Sequence, residues 1–242
     1  MTKKISDMPQ RTAARVSGFG YLIITILAIF SEFFVRSKLV VPGDAATTVV
    51  NILANEMLFR IGICGYLIVA ILDIVVALAL YVLLKPVNKS LALLAAWFRL
   101  VYAVILGIAL QNLLSVLQLL GGADYLAAFK TGELHAQVML LLNAHSDGWL
   151  IGLVFFGLHC LVLGYLIFKS GYIPRILGAL LVAASFGYVI DSFAHFLLPN
   201  YSDYKTPFLL LVAVPAFIGE LSFTFWLLFK GVKIQRTQVA PQ

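Results

Sequence analysis

Six apolar runs dominate this chain, each close to the roughly 20 residues an α-helix needs to cross hydrocarbon. They fall at about residues 16–35, 60–84, 91–119, 148–168, 175–197 and 206–229. Bilayer hydrocarbon offers no water to exposed backbone groups, so such runs must close their hydrogen bonds internally, as helices. The expected fold is all-α: a polytopic membrane protein with a six-transmembrane-helix bundle and short interfacial helices in the outer loops. Too little chain remains between the runs for a soluble domain, so residues 1–242 are read as a single membrane domain. Only 12% of the residues are charged, against about 25% in soluble proteins. The first run follows Lys3, Lys4, Arg11 and Arg15 as a secretory signal would. It is too long for a signal's apolar core and no small-residue cleavage site follows, so it is kept as the first membrane helix.

The formal net charge of +6 has a plainer origin than nucleic acid, because no basic cluster is interleaved with aromatics. Lysine and arginine collect in cytoplasmic loops. With the N-terminus inside, Lys3, Lys4, Arg11, Arg15, Lys85, Lys89, Lys169, Arg175, Lys230, Lys233 and Arg236 are inside, 11 of the 17. Arg36, Lys38, Lys130 and Lys205 are then outside. The asymmetry fits six spans with both termini cytoplasmic. Cys64 and Cys160 lie in apolar runs without CxxC or metal-type spacing and are read as packed thiols.

Between the runs, local signals set the boundaries. Pro42-Gly43 ends the first helix and Asp44 is a good N-cap. The following AATTVVNILANEMLFR reads as an interfacial amphipathic helix. Val49, Val50, Leu53 and Met57 lie on one side of it, and Asn51, Asn55 and the Glu56/Arg60 pair on the other. Glu32 and Arg36, four residues apart, can pair on one face. In the longest connection, residues 123–129 and 133–142 are expected to form short surface helices, with Ser146 or Asp147 capping the helix at 148–168. Pro215 inside the last run kinks it and frees a carbonyl.

Four-residue steps mark the inward faces. Ala179, Ala183, Gly187, Asp191 and His195 form a seam of small residues ending in a carboxylate and an imidazole. Arg99, Ala103, Gly107 and Gln111 make a polar face on the third run, and Gly148, Gly152 and His159 share a face on the fourth. Small residues let helices approach, and ionisable groups avoid lipid. At a rise of about 1.5 Å per residue, Asp73, Arg99, His159 and Glu220 fall near mid-bilayer. Glu32, Asp147, Asp191 and His195 fall in the outer third, with Glu56 and Arg60 close by.

Arg99 keeps its proton, so it requires a carboxylate, and Asp73 or Glu220 stands at its depth. Such a pair is either an internal clamp joining the second, third and sixth helices or part of a binding interior. The candidate interior groups are Asp73, Arg99, His159, Glu220, Glu32, Glu56 and Arg60. Asp191 and His195, with His145, Asp147 and His159 approaching from the fourth helix, would suit zinc with a position left for water. No HExxH motif supports that, and a hydrogen-bonded Asp/His pair at a bundle end is the blander reading. His135 reads as solvated, and Tyr21, Trp97, Trp149, Tyr165, Tyr188 and Trp226 as belt or packing residues.

The segments RSKLVVPGDAATTVVNILANE, LYVLLKPVNKSLALLAAWFRLV and DGWLIGLVFFGLHCLVLGYLIFKSGYIPRILG, with the helix carrying Asp191, resemble a bacterial integral-membrane family known only as domain of unknown function 4386. The resemblance runs from about Arg11 to Lys230. It implies a six-helix protein of the cytoplasmic membrane without an assigned activity. It also implies that Arg36, Asp44, Asn51, Glu56, Arg99, Asp147, His159 and Asp191 belong to the family pattern. Three functions follow as expectations. The first is binding or transport of a small solute, lipid or proton through the polar interior. The second is metal-dependent hydrolysis of a lipid-like substrate, resembling in outline the ceramidase-type membrane hydrolases. The third is a scaffold whose buried charges are structural. The expected partners are the bilayer and a small hydrophobic or ionic ligand, with no nucleic acid.

Overall fold

The computed structural model describes residues 8–122, 124 and 128–230, with the backbone alone at Lys205. Lys3, Lys4, Lys233 and Arg236 lie outside the described residues, as does most of the surface helix expected at 123–129. Among the described residues, six helices are long and apolar enough to cross a membrane. They are α1 (Gln10–Leu39), α3 (Glu56–Leu84), α4 (Lys89–Leu120), α5 (Thr131–Ser170), α6 (Arg175–Leu197) and α7 (Tyr201–Phe229, apolar from Thr206). Between the first two lies the short α2 (Ala45–Ala54). No strand occurs among the described residues.

The helix ends obey the sequence punctuation. Asp44 caps α2, its carboxylate accepting from the Thr47 amide at 2.9 Å and the Thr47 hydroxyl at 2.6 Å. Asn88 caps α4 by accepting from the Leu91 amide at 2.9 Å. Gly43, Gly122 and Gly171 take positive φ in the turns, where a side chain would be strained. The two bonds from Thr47 hold the Asp44 carboxyl below its ordinary value of 3.8. A carboxylate lowered in this way stabilises the fold above its ordinary pKa and loses that contribution as pH falls through the lowered one. Amide exchange at Thr47 and Thr48 is therefore expected to quicken in acid below the ordinary aspartate range. An Asp44→Asn variant, which cannot titrate, should lack that pH-dependent component. An identical acid response in both proteins would remove Asp44 as the cause.

Three expectations are corrected. The surface helix at 133–142 and a new cap at Ser146 or Asp147 do not form, because α5 runs unbroken from Thr131 to Ser170. Ser146 instead donates to Leu142 O, one turn back, at 3.0 Å. Val138, Leu142 and His145 repeat at helical spacing and are buried, so packing carries the helix through a Ser-Asp-Gly start signal. Second, α2 buries Thr48, Val49 and Ile52, while Val50, Leu53 and Met57 are exposed. Lipid is as apolar as leucine, so hydrophobicity alone does not separate inward from outward. Third, the four-residue seams wander. Each step of four turns a helix by about 40° beyond a full circle, so Ala179 and Ala183 are exposed although Gly187 is buried, and Gln111 is exposed although Arg99 is buried.

Contacts divide the chain into two compact units. Among the described residues, the first takes those up to Leu22, Val75–Phe98 and those from Gly157 onward; the second takes those within Ile23–Ile74 and Arg99–Phe156. Glycines set the packing of the first. A Cβ on Gly164 of α5 would stand 2.6 Å from Gly178 O of α6, and one on Gly187 would stand 2.7 Å from Leu211 O of α7. In the second, a Cβ on Gly148 of α5 would stand 2.9 Å from Ala109 Cβ and one on Gly152 would stand 3.1 Å from the Tyr102 ring, both on α4. The Gly148/Gly152 pair thus packs helices within the chain.

Candidate functional site

The last part of α1, Phe30–Arg36, is wound as a π-helix. This wide turn, rare and often found at functional sites, was not anticipated from sequence. It belongs to the second unit, where Ser31 donates to Gly62 O of α3 at 3.1 Å. The helices pack closely here: a Cβ on Gly62 would lie 2.8 Å from the Val35 side chain.

Arg36 is the hub. Its Nη1 donates to Glu32 Oε1 at 2.8 Å, and its Nη2 donates to Ser146 Oγ of α5 at 2.5 Å. Glu32 accepts through its other oxygen from the Tyr66 hydroxyl of α3 at 2.8 Å. Four polar side chains from three helices are so joined, and the Arg36 and Glu32 side chains remain 28% and 31% exposed. Beside them His145 is buried, its Nδ1 3.1 Å from Ala109 O of α4. A neutral ring bonded this way donates from Nδ1 and leaves Nε2 as an acceptor. Among the described residues neither His145 Nε2 nor Arg36 Nε has a hydrogen-bond partner. The Tyr66 ring lies 5.6 Å from His145 and 5.2 Å from Trp149. A crevice touching Ser31, Arg36 and Tyr66 has about 10 Å³ of free volume, roughly enough for one water.

The second unit also holds the ion pair expected for Arg99. Its partner is Asp73 of α3, at 2.5 Å, and both side chains are 1% exposed. The guanidinium stands 5.3 Å over the Phe156 ring of α5. Glu220 is engaged elsewhere, in the first unit, where it accepts from the Tyr188 hydroxyl at 2.6 Å and ties α7 to α6. The Asp73–Arg99 clamp therefore joins α3 to α4. His159 is buried with Nδ1 2.8 Å from Ala95 O of α4, the same device that holds His145.

The residues proposed for zinc fall in both units. His145 and Asp147 belong to the second unit, Asp191 and His195 to the first, and Asp147 is exposed. Asp191 accepts from the Tyr201 hydroxyl at 2.6 Å, and the His195 ring packs 4.7 Å from the Tyr201 ring. Burial, reinforced by Asp191, pushes the Tyr201 hydroxyl above its ordinary pKa. Among the described residues no three His, Cys, Asp or Glu side chains gather as a metal-binding group. Glu56 and Arg60, expected beside the interior, pair at 2.6 Å with about half of each side chain exposed, where such pairs contribute little. Cys64 is exposed and Cys160 buried.

Sequence reasoning missed Tyr66 and Ser146 and gave Arg36 only a local role. A tyrosine in the middle of a long apolar helix is a usable signal, because a buried phenol seeks an acceptor. Ser146 stands in a Ser-Asp-Gly helix-start signal, which masks its contact with another helix.

Residues 16–231 match the model of a family described as domain of unknown function (DUF4386). An uncharacterised protein of Archaeoglobus fulgidus is 37% identical over 179 residues, covering 74% of this chain and 89% of that protein. No solved structure matches the chain.

Proposed function

The chain belongs to the DUF4386 family, and on that footing we propose that this multi-pass membrane protein binds a small polar solute at the Glu32, Arg36, Tyr66 and Ser146 cluster. The observation that carries this reading is the partly open Glu32–Arg36 pair, 31% and 28% exposed, set in a π-helical turn. Asp73 and Arg99 are sealed from any solute at 1% exposure and serve as the scaffold that holds α3 to α4. When the outer pair opens, Arg36 offers a forked donor to a carboxylate or phosphate, and Glu32 offers an acceptor to an amine or hydroxyl. The solute is a small zwitterion or hydroxy acid. The bias of lysine and arginine supports both termini lying in the cytoplasm, which puts this cluster toward the outer leaflet.

A ligand that binds only the folded state raises its melting temperature by mass action. Purified protein is screened by thermal shift against small carboxylates, phosphates and amino acids. The solutes that stabilise the native protein are expected to lose their effect with Arg36→Gln and Glu32→Gln, and to keep most of it with Gln111→Ala. Stabilisation that survives both cluster variants, or an absence of any stabilising solute, rejects the site.

A further inference from the structure

We propose that the first unit carries a site for one anionic phospholipid, in a groove between α5 and α6 that is separate from the solute cluster. The groove encloses about 700 Å³, within the roughly 300–1,000 Å³ typical of small-molecule sites. Its floor exists because two glycines meet there. Gly164 and Gly178 bring the helices so close that a Cβ on either would stand 2.6 Å from the other's carbonyl oxygen. Leu91 and Val182 are among its walls, and Tyr165 and Phe168 line it as well. This surface is almost wholly apolar and suits a hydrocarbon chain.

The charges mark the occupant as anionic. Lys169 Nζ lies 5.8 Å over the Tyr165 ring and the Arg175 guanidinium 5.4 Å over the Phe168 ring. The two aromatics that line the groove thereby hold two cations beside it. Both cations are exposed, and neither has a carboxylate within salt-bridge distance among the described residues. An apolar trough with two exposed cations held beside it matches the division of a phospholipid into tail and phosphate. Basic pockets between membrane helices hold anionic head groups in this way. A neutral lipid or the apolar face of another helix would leave the cations unused.

The test uses the full-length protein in detergent, titrated with phosphatidylglycerol or with phosphatidylcholine of the same acyl chains. Bound lipid is counted by native mass spectrometry. One phosphatidylglycerol is expected to bind about thirtyfold more tightly than phosphatidylcholine, from two cations each acting on the head group. Lys169→Gln with Arg175→Gln, both at exposed positions, should erase that preference. Ala179→Trp, which fills the groove from an exposed position, should weaken both lipids while melting stays native. Equal affinity for the two lipids, or a preference that persists in the double variant, overturns the proposal. So does an Ala179→Trp protein that changes its oligomeric state with lipid binding unaltered, since the groove would then take a helix of a second copy.

Discussion

Asp73→Leu is expected to destabilise the protein by about 3–5 kcal/mol, the usual penalty for leaving one member of a buried ion pair without its partner. The two side chains meet at 2.5 Å, each 1% exposed, so water cannot replace the lost carboxylate. The reverse change, Arg99→Leu, should cost less. A stranded carboxylate can be neutralised by a proton, whereas a guanidinium stays charged. Replacing both by leucine removes the charges together and should recover most of the loss, because well-packed apolar substitutes for buried pairs are often neutral or better. Thermal unfolding of the four proteins in one detergent ranks them. The expected order of stability is native and double variant together, then Arg99→Leu, then Asp73→Leu. A double variant as weak as Asp73→Leu would show that the charges do more than clamp α3 to α4.

That the clamp exists was legible in the sequence, and its partner was not. An arginine amid an apolar run demands a carboxylate, and depth along the helices brought forward both Asp73 and Glu220. Depth is one coordinate, however, and which helices adjoin is another. Glu220 accepts instead from the Tyr188 hydroxyl of α6, an arrangement no spacing rule reveals. The six spans were readable because hydrocarbon imposes a length and a composition. Facing directions were harder, since Val50, Leu53 and Met57 can meet lipid as readily as protein. The π-turn was hidden for a different reason. FSEFFVR is an ordinary apolar stretch with one i,i+4 pair, and its widening accompanies contacts to Gly62, Tyr66 and Ser146 that lie far along the chain.

The partnership of Pro215 with Gly187 carries the second large effect. Pro215 lies inside α7 and has no N–H, so Leu211 O, four residues earlier, lacks its usual helical donor. That oxygen faces Gly187 of α6, where an added Cβ would stand 2.7 Å from it and 3.1 Å from Val212 Cα. Both obstacles are backbone atoms and cannot rotate aside. The bare Gly187 Cα is free to approach the carbonyl and offer it a weak C–H donor. Gly187→Ala must therefore separate the helices, at about 1–3 kcal/mol, the range for overpacking. Pro215→Ala returns an N–H to Leu211 O and so changes the surface that Gly187 meets. The two sites share one contact, so their effects should not add. A coupling of about 0.5–3 kcal/mol is the usual range for residues in contact, and the double variant should be less destabilised than the sum of the singles. Melting curves of the four proteins supply the cycle. Strict additivity would mean that the carbonyl freed by proline and the glycine act separately, while an undiminished melting temperature for Gly187→Ala would mean that α6 and α7 stand further apart than this contact requires.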